Sequence, residues 1–336
     1  MSLNLKTLSK DVYENRVQEY GADGVSGQDA LRNLFYEKLQ VEPGTVGNQL
    51  HRAFRKHKED VYEIIDVAVD AILPTILRNQ FDSLANFHDI QFGQELRFSN
   101  PNTNLFRVAN MAGGSQDIRR QNELSGSYKI ETEWWGAATY IEFEQFLSGM
   151  VDWNAYVNKV AESFAVKIGE RIYDTIAASY DDIRASRKHV GAGTVDLDKL
   201  TQIARHVRTA SAGKAVTVYG TAAALSKVAP DATLLSDGMK DGLSKVGYLG
   251  TVNGLNLIAL PDAYRGNTEE FAVDDNTLLL IPSAEKIIDV VNEGGVQTVD
   301  GESSDNTGLQ IDMNQRKKFG VATRQASVYG VYKITA

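Results

Sequence analysis

An alternation of apolar and polar positions in the middle of the chain predicts two β-strands separated by a polar stretch. One face of this alternation carries Ile90, Phe92, Leu96 and Phe98 and, after an interval, Tyr128, Ile130, Thr132 and Trp134. Period-2 patterning of this kind is typical of half-buried antiparallel strands. We therefore expect an extended β-ribbon within residues 81–150, with a polar tip around residues 112–120. A two-stranded ribbon is barely stable alone in water, so its apolar face needs a surface on the same chain or on another copy.

Apolar residues at three- and four-residue spacing predict the helices. A short helix is expected over residues 28–39, and a second from Asn48 until Pro74 interrupts it. The longest pattern predicts a helix over residues 152–179, about 40 Å long, with Asp152 as its N-cap. The second helix opens with the basic residues His51, Arg52, Arg55, Lys56, His57 and Lys58. We interpret this cluster as a solvated helix face in preference to a nucleic-acid contact.

Beyond residues 191–193 the pattern becomes mixed α/β, with strands expected at residues 215–219 and 277–281 and a turn that leads into a buried strand within residues 250–261. The polar, glycine-containing stretch 292–308 is predicted to be a loop. Two closing strands are expected near residues 309–314 and 326–334, joined through the basic segment 316–320. The predicted fold class is therefore α+β.

Composition narrows the class of protein. The chain has 336 residues, 43% hydrophobic content and no cysteine, so it can bury a substantial core and cannot form disulfides. Its net charge of -9 disfavours a protein dedicated to nucleic-acid binding through phosphate contacts. No apolar run reaches the roughly 18–20 residues of a membrane helix, and the first residues lack the apolar centre of a signal peptide. We expect a non-secreted protein that does not enter a membrane.

Motifs for catalysis are missing from the sequence. The five histidines are scattered and show no metal-ligand spacing. There is no P-loop and no nucleophile elbow. The acidic segment 300–306 departs from the calcium-loop pattern and is interpreted as a solvated loop. We therefore expect no enzyme activity, no cofactor and no metal. The alternative is a small-molecule enzyme whose α/β domain covers residues 195–300.

The order of the predicted elements resembles that of the major capsid proteins of tailed bacteriophages, which share the Hong Kong 97 (HK97) fold. Residues 140–147, Tyr-Ile-Glu-Phe-Glu-Gln-Phe-Leu, look like the family's passage from ribbon to long helix. Residues 250–255, Gly-Thr-Val-Asn-Gly-Leu, look like its turn before an axial-domain strand. Residues 310–312, Gln-Ile-Asp, and 325–328, Gln-Ala-Ser-Val, look like its closing strands. The resemblance extends from about residue 60 to the end.

An HK97-like fold implies four parts. These are an N-terminal arm with helices (1–80), an extended loop formed by the ribbon (81–150), a peripheral domain with a long spine helix (151–192 and 300–336), and an axial domain (193–299). The division is an expectation that follows from the resemblance.

The resemblance implies a major capsid protein whose copies assemble as hexamers and pentamers into an icosahedral shell around double-stranded DNA. The expected partners are other copies of the chain, DNA through weak non-specific contact, and portal, scaffold or decoration proteins, but no membrane. The expected location is the virion, preceded by the host cytoplasm during assembly. An encapsulin-type bacterial compartment, which has the same fold and encloses protein cargo, is the alternative.

Aromatic and basic residues of the ribbon region are the candidates for contacts between subunits: Trp134, Trp135, Phe92, Phe98, Arg119 and Arg120. The paired tryptophans are interpreted as anchors of the ribbon on the body or on a neighbour, in preference to a ligand-stacking pair. Some members of the resembled family join their subunits through a Lys–Asn isopeptide bond. Residues 113–127 contain two arginines but no lysine. A guanidinium stays protonated and is a poor nucleophile, so we expect a shell without covalent links.

Overall fold

A computed structural model gives the positions of most of the chain. The residues it describes are 5–14, 16, 19–20, 25–100, 106–108, 110, 120–122, 126–142, 144–145, 148, 151–178, 189–228, 243–262, 264–265, 268–283, 285–301, 310–324 and 328–335. These residues contain helices and two main β-sheets.

The helices of the described part are α1 (Leu5–Tyr13), α2 (Gly27–Lys38), α3 (Asn48–Phe81), α4 (Trp153–Ala178), α5 (Leu197–Ala210) and α6 (Ala222–Ser226). The periodicity of the sequence predicted α2, the start of α3 and all of α4. Asp152 caps α4 as expected, because its Oδ1 accepts hydrogen bonds from the backbone N–H groups of Asn154 and Ala155 at 3.0 and 3.2 Å.

The strands are β1 (Glu19–Tyr20), β2 (Val25–Ser26), β3 (Ala85–Ile90), β4 (Arg97–Asn100), β5 (Gly126–Lys129), β6 (Glu133–Glu142), β7 (Val190–Gly193), β8 (Val216–Gly220), β9 (Thr251–Val252), β10 (Leu255–Ala259), β11 (Thr277–Pro282), β12 (Ile288–Asp300), β13 (Gln310–Thr323) and β14 (Gly330–Ile334). The four-stranded sheet has the order β3-β12-β13-β6, and the six-stranded sheet has the order β7-β14-β11-β8-β10-β9. β4 and β5 pair as a separate antiparallel ribbon, and β1 pairs with β2.

The four-stranded sheet has a helix face and a ribbon face. Ile288 and Val290 of β12 belong to the large core that also contains the apolar stripes of α3 and α4. Asp289, between them, lies on the opposite face because side chains alternate along a strand, and there it contacts Tyr128 of the ribbon. One face is therefore packed on helices, and the other receives the ribbon.

α4 contacts the segments around both sheets. Its apolar residues pack with α3 in the large core, which also includes side chains of the six-stranded sheet. The Tyr173 hydroxyl donates to the carbonyl oxygen of Pro261 at 3.0 Å, and Asp174 pairs with Arg265 at 3.0 Å. A second core lies between the six-stranded sheet, α5 and α6. α4 therefore acts as the spine of the fold.

α3 continues through Pro74, so the interruption predicted there is wrong. A proline removes one helical hydrogen bond and crowds the preceding turn. The adjacent Leu73 and nearby Leu77 are each 1% exposed, and we attribute the continuation of the helix to this packing. The kink in α3 lies at His57, where φ is -122° and ψ is 23°. It separates the basic start of the helix from its long buried part.

The loop predicted over residues 292–308 is wrong as far as Asp300, because β12 runs from Ile288 to Asp300. Residues 302–309 lie outside the described part of the chain. Gly294, with φ at 72°, forms a bulge at which the register between β12 and β13 shifts. The two glycines that suggested a loop therefore bend a strand without ending it.

The connection predicted at residues 316–320 is also wrong, because this segment lies inside β13. Its basic side chains are compatible with a sheet because carboxylates on other elements pair with them. Lys317 Nζ lies 3.2 Å from Asp70 on α3, and Lys318 Nζ lies 2.7 Å from Glu293 on β12. Buried charges of this kind are tolerated when they are paired.

A row of polar contacts joins α3 to β12 and β13, the two central strands of the four-stranded sheet. The α3 residues are spaced by four, which places them on one side of the helix, and they are Lys58, Tyr62, Asp66 and Asp70. Lys58 and Tyr62 donate hydrogen bonds to Asp300. Asp66 accepts one from the Thr298 hydroxyl, and Asp70 accepts from the Val296 backbone N–H and from Lys317. Burial, the largest cause, raises the pKa of Asp66 to about 6, against hydrogen bonds from Thr298 that lower it.

Candidate assembly surface

Trp134 and Trp135 are neighbours in β6 and therefore point to opposite faces of the four-stranded sheet. Trp135 lies on the helix face, where its ring stacks on Phe319 with centroids 5.7 Å apart. The cationic groups of Lys167 and Arg171 on α4 lie 5.1 and 5.2 Å from the centre of the same ring. These distances are within the range of cation–π attraction. Trp135 therefore fastens β6 to the spine helix.

Trp134 lies on the ribbon face and remains 51% exposed. Its ring stacks on Phe92, which is 44% exposed, with centroids 5.6 Å apart and an interplanar angle of 20°. Arg316 and Lys318 of β13 place their cationic groups 5.6 and 6.0 Å from the Trp134 ring. This part of the ribbon face therefore combines exposed aromatic surface with positively charged side chains.

Glu293 connects both legs of the ribbon to the sheet. Its carboxylate accepts hydrogen bonds from the Gly93 backbone N–H at 3.0 Å and from the Thr132 hydroxyl, and it pairs with Lys318 at 2.7 Å. Gly93 precedes the ribbon in the chain and Thr132 follows it. The hydrogen bond from Lys318, with those from Thr132 and Gly93, lowers the pKa of Glu293 to about 2. The carboxylate is therefore ionised at neutral pH.

Asp289 anchors the paired strands of the ribbon. This residue is 1% exposed; its Oδ2 accepts a hydrogen bond from the Tyr128 hydroxyl at 3.2 Å, and its Oδ1 accepts one from the Asn86 amide at 3.3 Å. His88 Nε2 lies 3.1 Å from the same Oδ1. The Phe98 ring contacts the rings of His88 and Tyr128 with centroids 5.1 and 5.3 Å apart. β4 and β5 therefore lie over β3 and β12.

Two glycines let the legs of the ribbon cross the sheet at close range. A Cβ atom at Gly294 would overlap the ring of Phe92, and one at Gly320 would overlap the carbonyl oxygen of Glu131. The neighbour at Gly320 is backbone and cannot rotate away, so the position of the returning leg depends on this glycine. The neighbour at Gly294 is a side-chain ring, so this glycine makes room for the observed position of Phe92.

The two strands predicted for the ribbon are each interrupted in the structure. Gly93, with φ at 80°, turns the chain back between β3 and β4, a conformation that favours glycine. Residues 130–132 separate β5 from β6, so Trp134 belongs to the four-stranded sheet and not to the ribbon itself. The antiparallel pairing is confirmed, with Phe98 opposite Tyr128.

The six predicted contact residues fall in different places. The structure brings Phe92 and Trp134 together at the ribbon base, half-buries Phe98 between the ribbon and the four-stranded sheet, and puts Trp135 on the other face. Arg120 is exposed, and Arg119 lies outside the described residues.

The anchoring carboxylates Asp289 and Glu293 escaped the sequence reasoning. Glu293 lies in the stretch predicted to be a loop, and no role was predicted for Asp289, which lies just before that stretch. The apolar sequence Ile287-Ile288, followed by Val290-Val291, was the available signal for a buried strand. A carboxylate between such pairs needs a partner, which the ribbon supplies.

Other kinds of site find little support among the described residues. Over that part of the chain, no three His, Asp or Glu side chains are grouped so that they could hold a metal ion. None of the described helices combines the length and apolar character needed to cross a membrane. A cavity of about 390 Å³ opens at the ribbon base, and its lining includes Glu95, Lys129 and Glu293. It is mainly polar, whereas pockets for small molecules are mostly apolar.

The fold is similar to those of solved capsids. The asymmetric unit of the bacteriophage PhiM1 mature capsid aligns with a TM-score of 0.54 at 12% identity, covering 75% of this chain and 86% of that one. The capsid of the native GTA particle aligns with a TM-score of 0.53 at 11% identity, covering 78% and 91%. The capsid of cyanophage P-SCSP1u gives 0.50 at 12% identity, covering 76% and 88%. The fold is therefore that of HK97-like capsid proteins.

No curated protein matches the sequence at a significant level. A family model described as SPbeta prophage-derived putative capsid protein YonB matches residues 4–333. The chain belongs to this family. It is a phage capsid protein, a structural component of the virion whose copies assemble into shells.

Proposed function

We propose that this chain is the major head protein of a tailed phage and assembles as hexamers and pentamers into an icosahedral shell around double-stranded DNA. Assembly takes place in the host cytoplasm, with portal, scaffold or decoration proteins as further partners. The role is structural and needs no catalytic step. Membership of the capsid family, together with the fold, supports this proposal.

The observation that carries the proposal is the ribbon with its half-exposed aromatic base. Asp289 and Glu293 hold the base in a defined position, yet Phe92 and Trp134 remain 44% and 51% exposed. Exposed apolar surface rimmed by polar residues is characteristic of protein interaction sites. A neighbouring copy that packs on this surface would bury the exposed parts of the Phe92 and Trp134 rings.

The contacts between subunits are also part of the proposal. Phe92 and Trp134 would touch a neighbouring copy directly, while Phe98 and Trp135 hold the ribbon and β6 in position. Arg119 and Arg120 at the ribbon tip would pair with carboxylates of an adjacent copy through charge-assisted hydrogen bonds. Such pairs are screened by salt where they are exposed.

We further propose the division into an arm, an extended loop, a peripheral domain and an axial domain. The four-stranded sheet with α4 corresponds to the peripheral domain, and the six-stranded sheet corresponds to the axial domain. Sheet membership supports placing residues 288–299 with the former and residues 330–334 with the latter.

The test is assembly of the purified full-length protein, followed by light scattering after size exclusion and by negative-stain microscopy. We expect capsomers or closed shells. A monomer under every assembly condition would contradict the proposal. Particles isolated from cells should contain nuclease-protected double-stranded DNA. A protein cargo in its place would favour the encapsulin-type alternative.

A further inference from the structure

The first part of α3 carries basic side chains that the fold leaves unpaired. No acidic residue occurs between Asn48 and Lys58. Arg52, Arg55 and Lys56, at spacings of three and four residues, lie on one face of the helix and are exposed. Among the described residues, none of these three forms an ion pair.

Neighbouring basic residues differ because the fold uses them. His57 Nδ1 lies 3.2 Å from Asp60 Oδ2, and Lys58 binds Asp300 at the end of β12. The two residues with carboxylate partners, His57 and Lys58, lie at the kink and directly after it, whereas the three exposed cations lie before it. Five residues of the predicted cluster therefore fall into two groups with different surroundings, and only Arg52, Arg55 and Lys56 have no ion pair among the described residues.

The start of α3 provides no local negative charge for the three cations. They lie in the second and third turns of the helix, beyond the first turn in which the helix dipole acts on side chains. α3 has no acidic residue in its first turn, and its N-cap, Gly47, supplies no side-chain hydrogen bond. The fold makes no ion pair with these three cations among the described residues, so their charge is available for a contact outside the chain.

The exposed charge on α3 changes sign at the kink. Beyond His57, the exposed positions Glu59 and Glu63 are acidic. Glu59 follows Arg55 by four residues, a spacing at which opposite charges pair on a regular helix. Arg55 and Glu59 form no ion pair in the structure. The basic face is thus a confined patch next to an acidic one.

We propose that Arg52, Arg55 and Lys56 contact the phosphates of the double-stranded DNA that the shell encloses. This inference rests on the proposed function and adds the surface that touches the DNA. A chain with a net charge of -9 repels a polyanion over most of its surface, so a local group of cations sets where contact occurs. Phosphate contacts are independent of base sequence, and three per copy give a weak interaction that hundreds of copies repeat.

Salt dependence provides a quantitative test. Each phosphate contact adds about -0.9 to the slope of log K against log salt concentration, so three contacts add about -2.7. Raising salt fourfold, from about 50 to about 200 mM, should therefore weaken binding about 40-fold through these contacts alone. The slope is measured by fluorescence anisotropy of a labelled 20-base-pair duplex with unassembled full-length protein. We expect the variant R52Q/R55Q/K56Q to lose about three units of slope.

Two control variants separate this surface from charge in general. R205Q/R208Q/K245Q removes three exposed positive charges elsewhere, and its slope should stay close to that of the unmodified chain. R52K/R55K keeps the charge and should keep the slope. Thermal unfolding checks that each variant is folded. R52Q/R55Q/K56Q should melt close to the unmodified chain, because the three side chains are exposed and form no ion pair among the described residues.

The outcomes distinguish this surface from the shell function. An unchanged slope in folded R52Q/R55Q/K56Q, or an equal loss in R205Q/R208Q/K245Q, would overturn the assignment. Loss of shell formation with unchanged DNA affinity would also overturn it, by showing that this face contacts another copy. If the unmodified chain binds DNA with the expected slope but never forms shells, the proposed head function fails and the phosphate-contacting surface stands.

Discussion

Substitutions of the adjacent residues Trp134 and Trp135 should affect different properties, assembly for the first and folding stability for the second. Trp135→Ala removes a half-buried ring that packs on Phe319. Truncating a buried tryptophan costs about 3–5 kcal/mol, and partial exposure places this loss at the lower end. Trp134→Ala removes a ring that is 51% exposed, and its stacking with Phe92 contributes about 0.5–1.5 kcal/mol. We expect Trp135→Ala to have the larger effect on unfolding by urea and Trp134→Ala the larger effect on shell yield. The reverse order would contradict the faces assigned to them.

Glu293→Gln should destabilise the fold in a pH-dependent way. Lys318, Thr132 and Gly93 lower the pKa of the carboxyl from its ordinary 4.5 to about 2. A depressed pKa stabilises the folded state above the unfolded pKa, and this stabilisation is lost as pH falls through the folded value. At pH 7 the variant should therefore unfold at lower urea concentration than the unmodified protein. The difference should narrow below pH 4.5 and vanish near pH 2, and a constant difference across this range would count against the role of Glu293.

Asp66→Asn should have the opposite dependence on pH. Burial raises the pKa of Asp66 from 3.8 to about 6, so the folded state binds this proton more tightly than the unfolded state. The contribution of Asp66 to the stability of the unmodified protein therefore falls as pH rises from about 4 to about 6. Asparagine does not ionise and keeps an oxygen to accept from Thr298. Urea unfolding at pH 5 and pH 8 should show that the variant gains relative stability at the higher pH; a relative loss would contradict the burial argument.

Among the elements, the ribbon base depends on the close approach of Glu131 to β13 at Gly320. A Cβ atom there would meet the Glu131 carbonyl oxygen, which belongs to backbone and cannot rotate away. Gly320→Ala should therefore displace the returning leg of the ribbon and reduce shell yield. Gly250→Ala is the matched control, because nothing lies within 4 Å of its Cβ position. Limited proteolysis near residues 130–132 reports the displacement. Equal cleavage and equal shell yield in the two variants would show that this approach is unimportant.

Elements with long, regular patterns were predictable from the sequence, and those fixed by distant partners were not. The stripe of α4 and the cap at Asp152 are local features, and both are confirmed. β12 and β13 carry glycines and lysines that disfavour a strand locally. Lys317 pairs with Asp70, which lies 247 residues away in sequence, and Lys318 pairs with Glu293 on the neighbouring strand. The long-range pairing overrides the local preference.

The candidate surface was predictable in its residue types more than in its geometry. Exposed aromatic residues on an alternating segment drew attention to Phe92 and Trp134. The turn at Gly93 was not anticipated, because Ile90, Phe92 and Leu96 are all an even number of residues apart and fit one strand face. The polar residue at position 94, next to Gly93, was the available signal for a break in the strand. Period-2 spacing reports which face a residue takes within a strand and is insensitive to a reversal of the chain between strands.

At the scale of the whole shell, we expect subunits to be held together without covalent bonds. Residues 113–127 contain no lysine, and Lys129 pairs with Glu95 at 2.6 Å within the ribbon. Mature particles boiled in denaturing detergent should therefore give one band near 36.9 kDa. A ladder of multimers that survives boiling would refute this expectation.

If the tip arginines pair across subunits, replacing Arg119 and Arg120 by Ala should lower shell stability, most clearly at low ionic strength.

A pull on the ribbon would reach the body unequally through its two legs, because the chain reverses at Gly93. The entering leg, β3, would feel the tension at its folded-back end, so its hydrogen bonds with β12 would open one after another. The returning leg, β6, runs away from the ribbon, so tension acts along the strand and strains its ten residue pairs with β13 together. Breaking many bonds at once takes more force than breaking them singly. In a single-molecule pulling experiment, β3 should detach first, and β6 should carry the tension of neighbouring copies into the spine helix through Trp135.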